Sequence, residues 1–331
     1  MIGVIGSGSW ATALIKILLE KEGRELHWWV RNEAARQAIT SDGHNPRHLT
    51  SVALDHNRLH LSGDLHTVVE RCDELLLAVP SAYLGATLSQ LPPATYQGKR
   101  FVSAVKGSVP ERGSSVSHYL EHELGIPQVN ICMVSGPSHA EEVAEELPTF
   151  LTVASTSEVL AHEVAGWLNC SYCHTSLSQD IEGIEYCVLA KNIYAIAAGL
   201  CRGLGYGDNL CAVLTCAAMK ELGRQLEHRF ALTSRRLADS CYLGDLMVTC
   251  WSPHSRNRAL GMAVARGEKP EQVFAHCGSV AEGYYSVKNM HALFASQGVL
   301  DEIPIAEAVY RILYEGAEPK NEINMLIDNM L

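Results

Sequence analysis

The chain has 331 residues, 47% of them apolar, and 26 Lys+Arg stand against 37 Asp+Glu for a net charge of −11. Such a composition excludes a disordered or fibrous chain, and the acidic balance argues against a nucleic-acid binder, which would show a basic face. Eleven irregularly spaced cysteines, in a chain long enough to bury a core without staples, read as reduced thiols of a cytoplasmic protein.

In chain order, the first half alternates β-rich runs with helical periods. Strands are predicted at Met1–Ile5, Glu25–Val30, Glu74–Val79, Arg100–Ala104, Asn130–Val134, Phe150–Ala154 and Ser171–His174. Helices are predicted between them at Trp10–Lys21, Asn32–Ile39, Tyr83–Leu91, Val116–Leu124, Ala140–Glu146 and Ser157–Leu168. This alternation marks βαβ units and a mostly parallel sheet with helices on both faces. A long helix follows from Asp180 to Gly199, with Ser178 as its expected N-cap. Beyond it strand-like runs almost vanish. Helices are predicted at Leu210–His228, Ser234–Leu243, Ser255–Arg266, Pro270–Ala275, Ser286–Ser296 and Ile305–Tyr314. The expected organisation is an α/β domain over residues 1–185 and an all-α domain over 186–331. Met1 enters the first strand without a charged leader. No uninterrupted apolar stretch reaches about 18 residues, so no membrane span is expected.

Between the first strand and the first helix lies Gly6-Ser7-Gly8-Ser9-Trp10-Ala11, the spacing G-x-G-x-x-A. Gly6 permits a tight turn, Gly8 lets the backbone approach a pyrophosphate, and small Ala11 lets the helix sit close to the strand. The N–H groups of that helix start would then hold the phosphates. In this βαβ context the motif points to a Rossmann-type dinucleotide site. After the second strand an NAD-preferring site places an acidic residue on the ribose; here Arg31 stands at that strand end. A guanidinium pairs with a 2′-phosphate and stacks on adenine, which favours NADP over NAD without excluding the latter.

Four further segments place cations beside glycines or small polar residues at element ends. They are Val105-Lys106-Gly107, Ser135-Gly136-Pro137-Ser138 with Ala140 and Glu142, Ala190-Lys191-Asn192, and Gly244-Asp245-Leu246 through Thr249 to Ser255-Arg256-Asn257. With Ser9-Trp10 and Val280-Ala281-Glu282-Gly283, they arrive in an order that resembles the bacterial NAD(P)-dependent glycerol-3-phosphate dehydrogenases, across residues 1 to about 290. The resemblance implies oxidation of sn-glycerol 3-phosphate at C2 to dihydroxyacetone phosphate, the reverse reaction, supply of glycerol 3-phosphate for phospholipid synthesis, and a homodimer by family habit. It makes Lys191 the proton acceptor. Lys106, Asn192, Asp245, Thr249, Ser255, Arg256 and Asn257 would hold substrate, with Gly136 and Ser138 flanking it. Gly6, Gly8, Ser9, Trp10, Arg31, Lys106, Ala140, Arg256, Val280 and Glu282 would line the cofactor. No metal site is implied.

The chemistry agrees with that assignment. Hydride loss from C2 makes its hydroxyl acidic, so a base must take the proton, and in reduction an ammonium can return it. Arg256 can grip a phosphate through two N–H groups, and Asn257 and the helix start at Ser255 can add donors. Two positions depart from the family: Ala11 for the commoner glycine, and Cys216-Ala217 for the usual Arg-Gly. Cys170-Ser171-Tyr172-Cys173-His174 has the spacing of a haem attachment site. It lacks the export context, and no second ligand pair accompanies it to hold zinc. Two other readings remain open: a related dehydrogenase of a hydroxy acid or sugar phosphate, and a non-catalytic NADP(H) sensor. The joint presence of Lys191, Asp245 and Arg256 speaks against the sensor, which needs no base.

Overall fold

A computed structural model describes residues 1–109, 114–230, 235–277 and 281–329, and the chain divides into two units, Met1–Ile184 and Glu185–Leu331. In the first unit the strands are β1 (Ile2–Ile5), β2 (Leu26–Trp29), β3 (Leu59–Ser62), β4 (Glu74–Leu77), β5 (Arg100–Ser103), β6 (Ile131–Ser135), β7 (Thr149–Ala154) and β8 (Cys173–Ser178). They form one sheet in the order β3-β2-β1-β4-β5-β6-β7-β8, parallel throughout except where β7 runs against β6. The helices of this unit are α1 (Ser9–Leu19), α2 (Glu33–Asp42), α3 (Leu65–Arg71), α4 (Leu84–Leu88), α5 (Val116–His122), α6 (Ala140–Ala144) and α7 (Glu158–Leu168).

β1, β2 and β4 are buried along their whole length, as strands of a parallel sheet covered on both faces must be. Successive side chains go to opposite faces. Val4, Trp28, Leu76 and Val102 enter one core with Leu14 and Ile17 of α1, Ile39 of α2 and Val164 of α7. Ile5, Trp29, Leu77 and Phe101 enter a second core with Val68 of α3, Leu88 of α4 and Leu120 of α5. Each fully buried leucine or isoleucine contributes about 1.5–3 kcal/mol relative to exposure. The chain leaves β1 toward β2 and β3, then crosses back to β4 on the other side. That reversal opens a crevice at the carboxyl ends of β1 and β4, where α/β sheets bind ligands.

Two elements of the first unit, and the helices Asp245–Trp251 and Pro319–Asn329 of the second, were not expected from the sequence. β3 is a four-residue edge strand whose His60 and Ser62 interrupt any apolar run, and α3 is a seven-residue helix set by its Asp64 N-cap, which accepts from the His66 and Thr67 N–H groups. The long helix, α8 (Ile181–Gly203), starts differently from the expectation. Asp180, not Ser178, caps it: its carboxylate accepts the Gly183 N–H at 3.1 Å, while the Ser178 hydroxyl accepts the Asp180 N–H at 3.1 Å. By length and hydropathy α8 could cross a membrane, but 94% of that apolar window is buried inside the protein.

The described residues of the second unit form only helices beyond α8: α9 (Asp208–Arg229), α10 (Asp245–Trp251), α11 (Arg256–Ala265), α12 (Pro270–Cys277), α13 (Glu282–Gln297), α14 (Pro304–Tyr310) and α15 (Pro319–Asn329). The helix expected at Ser234–Leu243 is not found. Ser234 lies outside the described residues, and the segment from Arg235 is irregular until a π-helical turn, Ser240–Gly244, runs into α10. A second π-helical turn, Arg311–Glu315, ends α14 earlier than expected.

Glu221 of α9 lies wholly inside this unit and accepts the Ile305 and Ala306 N–H groups at the start of α14, at 2.9 and 3.4 Å. Loss of hydration raises its pKa from 4.5 to about 7, and the two N–H donors offset only part of that shift. The folded chain therefore binds this proton more tightly than the unfolded chain. The contribution of Glu221 to stability is largest below pH 4.5 and declines as the pH rises to about 7, by on the order of 3 kcal/mol. Glu221→Gln keeps a carbonyl acceptor for α14 and cannot titrate. Urea midpoints of the wild type should fall between pH 5 and pH 8, and the variant should lose most of that decline.

Candidate active site

The first unit builds a phosphate cradle from its loop between β1 and α1. Gly6 has φ +127°, and a Cβ there would lie 2.5 Å from the Ala78 carbonyl oxygen, so only glycine fits the turn. Each carbonyl of the loop is held from within the protein. The Trp28 indole donates to Gly6 O at 2.6 Å, Asn45 Nδ2 donates to Ser7 O at 3.1 Å, and the Thr12 N–H and hydroxyl donate to Gly8 O at 3.0 and 3.1 Å. Asn45 also donates to Thr12 Oγ1 at 2.9 Å and is 1% exposed. With the carbonyls anchored on one side, the loop can present N–H groups on the other. A Cβ on Gly8 would meet no described atom within 4 Å, α1 has no side-chain cap, and no acidic residue lies in its first turn. This arrangement suits an anion at a helix N-terminus and fits the pyrophosphate of a dinucleotide.

Around the ends of β5 and β6 the structure brings Trp10, Lys106, Gly136 and Ser138 together. The Lys106 ammonium donates to Ser138 O at 3.1 Å and to Ser138 Oγ at 3.3 Å, and it lies 4.9 Å from the centre of the Trp10 ring. The Trp10 N–H donates to Ala104 O at 3.1 Å, and the Ser138 hydroxyl donates to Gly136 O at 2.9 Å. Ala140 is buried at the start of α6. Arg31 is exposed beyond β2, where Asn32 caps α2. Nearby, Arg36 Nη1 donates to Val30 O and Arg31 O at 2.8 and 3.0 Å, which puts a second guanidinium at that strand end.

The second unit carries the other half of the candidate residues. Lys191 of α8 and Asp245, the first residue of α10, form a hydrogen-bonded ion pair whose side chains are 3% and 1% exposed. The π-helical turn before α10 delivers Asp245 to this position, and such turns recur at functional sites. One residue along α8, Asn192 Oδ1 accepts from Asn257 Nδ2 at 2.8 Å, and Asn257 Oδ1 accepts the Gly283 N–H at 2.9 Å. Asn257 thereby joins α8, α11 and the start of α13, next to Glu282. Close helix approach makes this possible: a Cβ on Gly261 of α11 would lie 2.1 Å from Ile196 O of α8.

The remaining residues named from the sequence have these places. Thr249 donates its hydroxyl to Asp245 O, one turn back on α10, at 2.5 Å. Ser255 caps α11, its hydroxyl accepting the Arg258 N–H at 3.3 Å, and this sets Arg256 at the first helical position with an exposed side chain. Val280 lies outside the described residues. Cys216 is exposed on α9, Cys173 is buried at the start of β8, and the His174 ring leans against Phe150 with centroids 5.4 Å apart. Sequence reasoning missed Trp28, Asn45 and Arg36, and gave Gly283 of its last motif no separate role. The only signal for Asn45 was a polar residue in the loop after α2, 38 positions from the carbonyl it holds.

Two family models match the chain: the NAD-dependent glycerol-3-phosphate dehydrogenase N-terminus over residues 1–161 and its C-terminus over residues 180–324. The chain is 34% identical to glycerol-3-phosphate dehydrogenase (NAD(P)+) 2 of Salinibacter ruber, over 98% of this chain and 94% of that protein. It is also 34% identical to the Chlorobium limicola glycerol-3-phosphate dehydrogenase (NAD(P)+), over 97% of this chain and 99% of the other. Among solved structures, the Coxiella burnetii glycerol-3-phosphate dehydrogenase superposes with a TM-score of 0.89 at 29% identity, covering 98% of each chain. The Saccharomyces cerevisiae enzyme gives 0.84 at 27% identity, with the same coverage.

Gly261→Ala should push α11 off α8 and break the Asn192–Asn257 bond. Overpacking of this kind costs about 1–3 kcal/mol, and more where the obstacle is backbone. Thermal unfolding of the variant should show a Tm several degrees below that of the wild type.

Proposed function

Because the chain belongs to the NAD-dependent glycerol-3-phosphate dehydrogenase family, we propose that it interconverts sn-glycerol 3-phosphate and dihydroxyacetone phosphate by hydride transfer to or from NAD(P). The observation that carries the catalytic assignment is the buried Lys191–Asp245 pair. A lysine is almost never buried without a partner and a purpose, and a protein that only sensed NADP(H) would need no such base. In this reading the enzyme works in the cytoplasm and supplies glycerol 3-phosphate for phospholipid synthesis.

The loop at Gly6–Trp10 and the first turn of α1 would hold the pyrophosphate of the dinucleotide, and Arg31, with Arg36 beside it, would pair with a ribose 2′-phosphate, which favours NADP. The nicotinamide, when bound, accepts the C2 hydride in oxidation and returns it in reduction. Lys191 as the amine takes the proton of the C2 hydroxyl while the carbonyl forms. In the opposite direction its ammonium donates a hydrogen bond to the C2 carbonyl oxygen and gives that oxygen a proton as the hydride arrives. Asp245, hydrogen-bonded to Nζ, fixes the direction in which Lys191 offers its proton. Lys106 and Arg256 attract the substrate phosphate. The chain's net charge of −11 does not prevent this, because salt screens distant charges beyond about 10 Å at 0.1 M ionic strength while local cations act at contact. Asn257 sets Asn192 beside the base, and Ser255 presents Arg256 at a helix start.

Lys191→Gln keeps an N–H donor for Asp245 and cannot carry the proton. Initial rates with dihydroxyacetone phosphate and NADPH or NADH should fall by about 10²–10⁴ in the variant, while the cofactor Kd, read from nicotinamide fluorescence, changes less than twofold. Retained turnover would refute Lys191 as the base. Arg31→Asp should move the NADPH/NADH ratio of kcat/KM toward NADH by at least about tenfold, the effect of 1.4 kcal/mol. An unchanged ratio would remove Arg31 from 2′-phosphate recognition.

A further inference from the structure

We propose that Trp10 is a positioning residue for Lys106 and acts on substrate affinity through that lysine. The inference rests on the reading of Lys106 as a substrate-binding cation. Three contacts inside the first unit support it. The Trp10 indole N–H donates to Ala104 O at 3.1 Å, which ties the first turn of α1 to the chain two residues before Lys106. The ring face then lies 4.9 Å from the Lys106 ammonium, a cation–π distance. Ser138 takes two hydrogen bonds from the same ammonium, at 3.1 and 3.3 Å.

A lysine has many accessible rotamers on its four-carbon stem, and an ammonium sampling all of them would offer a phosphate a poorly placed charge. Between an aromatic face and the Ser138 oxygens, the Lys106 head is placed before substrate arrives. A leucine at position 10 would fill similar space with no π-face, and a phenylalanine would keep a weaker face while losing the N–H. Trp10 stands in the turn that holds the pyrophosphate, so the segment serving the cofactor also orders a substrate-side cation.

The test is a double-mutant cycle read as the KM for glycerol 3-phosphate at saturating cofactor, with cofactor Kd measured separately by nicotinamide fluorescence. Trp10→Leu should raise KM about tenfold, beyond any change in cofactor Kd, and Trp10→Phe should recover most of that loss. In a Lys106→Met background, Trp10→Leu should raise KM less than twofold further. Equal effects of Trp10→Leu with and without Lys106 would overturn the proposal, as would a loss confined to cofactor Kd. A wild type that does not turn over glycerol 3-phosphate would instead refute the functional reading on which it rests.

Discussion

Two opposite charges taken out of water constrain the second unit. Lys191 and Asp245 are nearly inaccessible, and each ion removed from water costs several kcal/mol unless its partner and hydrogen bonds compensate. Such a pair is weak evidence for stability, since apolar residues of equal volume often serve better there. Its place in the interior fits the proposed proton transfer. An amine that must exchange a proton at one atom of a substrate has to be held in direction, and a buried carboxylate does so without the entropy of a surface side chain. The helices around it are built to keep that direction. The π-helical turn hands Asp245 to the first position of α10, and glycine contacts bring α11 against α8 so that Asn257 can steady Asn192 beside Lys191.

The first unit solves the opposite problem, offering partial positive charge without burying a charge. Three successive carbonyls of the loop accept donors from Trp28, Asn45 and Thr12, which fixes the peptide planes. The N–H groups on the far side of those planes are then aligned before any anion arrives, so binding does not have to order them. Lys106 follows the same logic with a full charge, its head shared between the Trp10 ring and Ser138. Preorganisation replaces burial as the means of control.

Much of this was legible in the sequence, and the reasons for the rest are specific. The loop glycines could be read because each answers a steric demand of one local turn. Strands β1, β2 and β4 could be read because burial on both faces leaves mostly apolar runs, with one polar residue each in β2 (His27) and β4 (Glu74). β3 could not, because its two polar side chains break any apolar run and four residues are too few for its alternation to stand out. The cap of α8 was misread by two residues because Ser178 and Asp180 are both good caps and only the geometry shows which one the Gly183 N–H meets. Asn45 and Trp28 were missed because they act through backbone oxygens far away in sequence, which no spacing rule encodes.

The roles of Asn257 and Ser255 show how a matching motif can carry more than one duty. Both polar ends of the Asn257 carboxamide are engaged within the protein, one by Asn192 and one by the Gly283 N–H, and the Ser255 hydroxyl accepts a helix N–H. Arg256, between them, points outward. A guanidinium at the first position of a helix, flanked by a cap and a buried staple, has its backbone fixed while its head is exposed. On the proposed function, the residues beside it would serve the substrate chiefly by holding Arg256 in place.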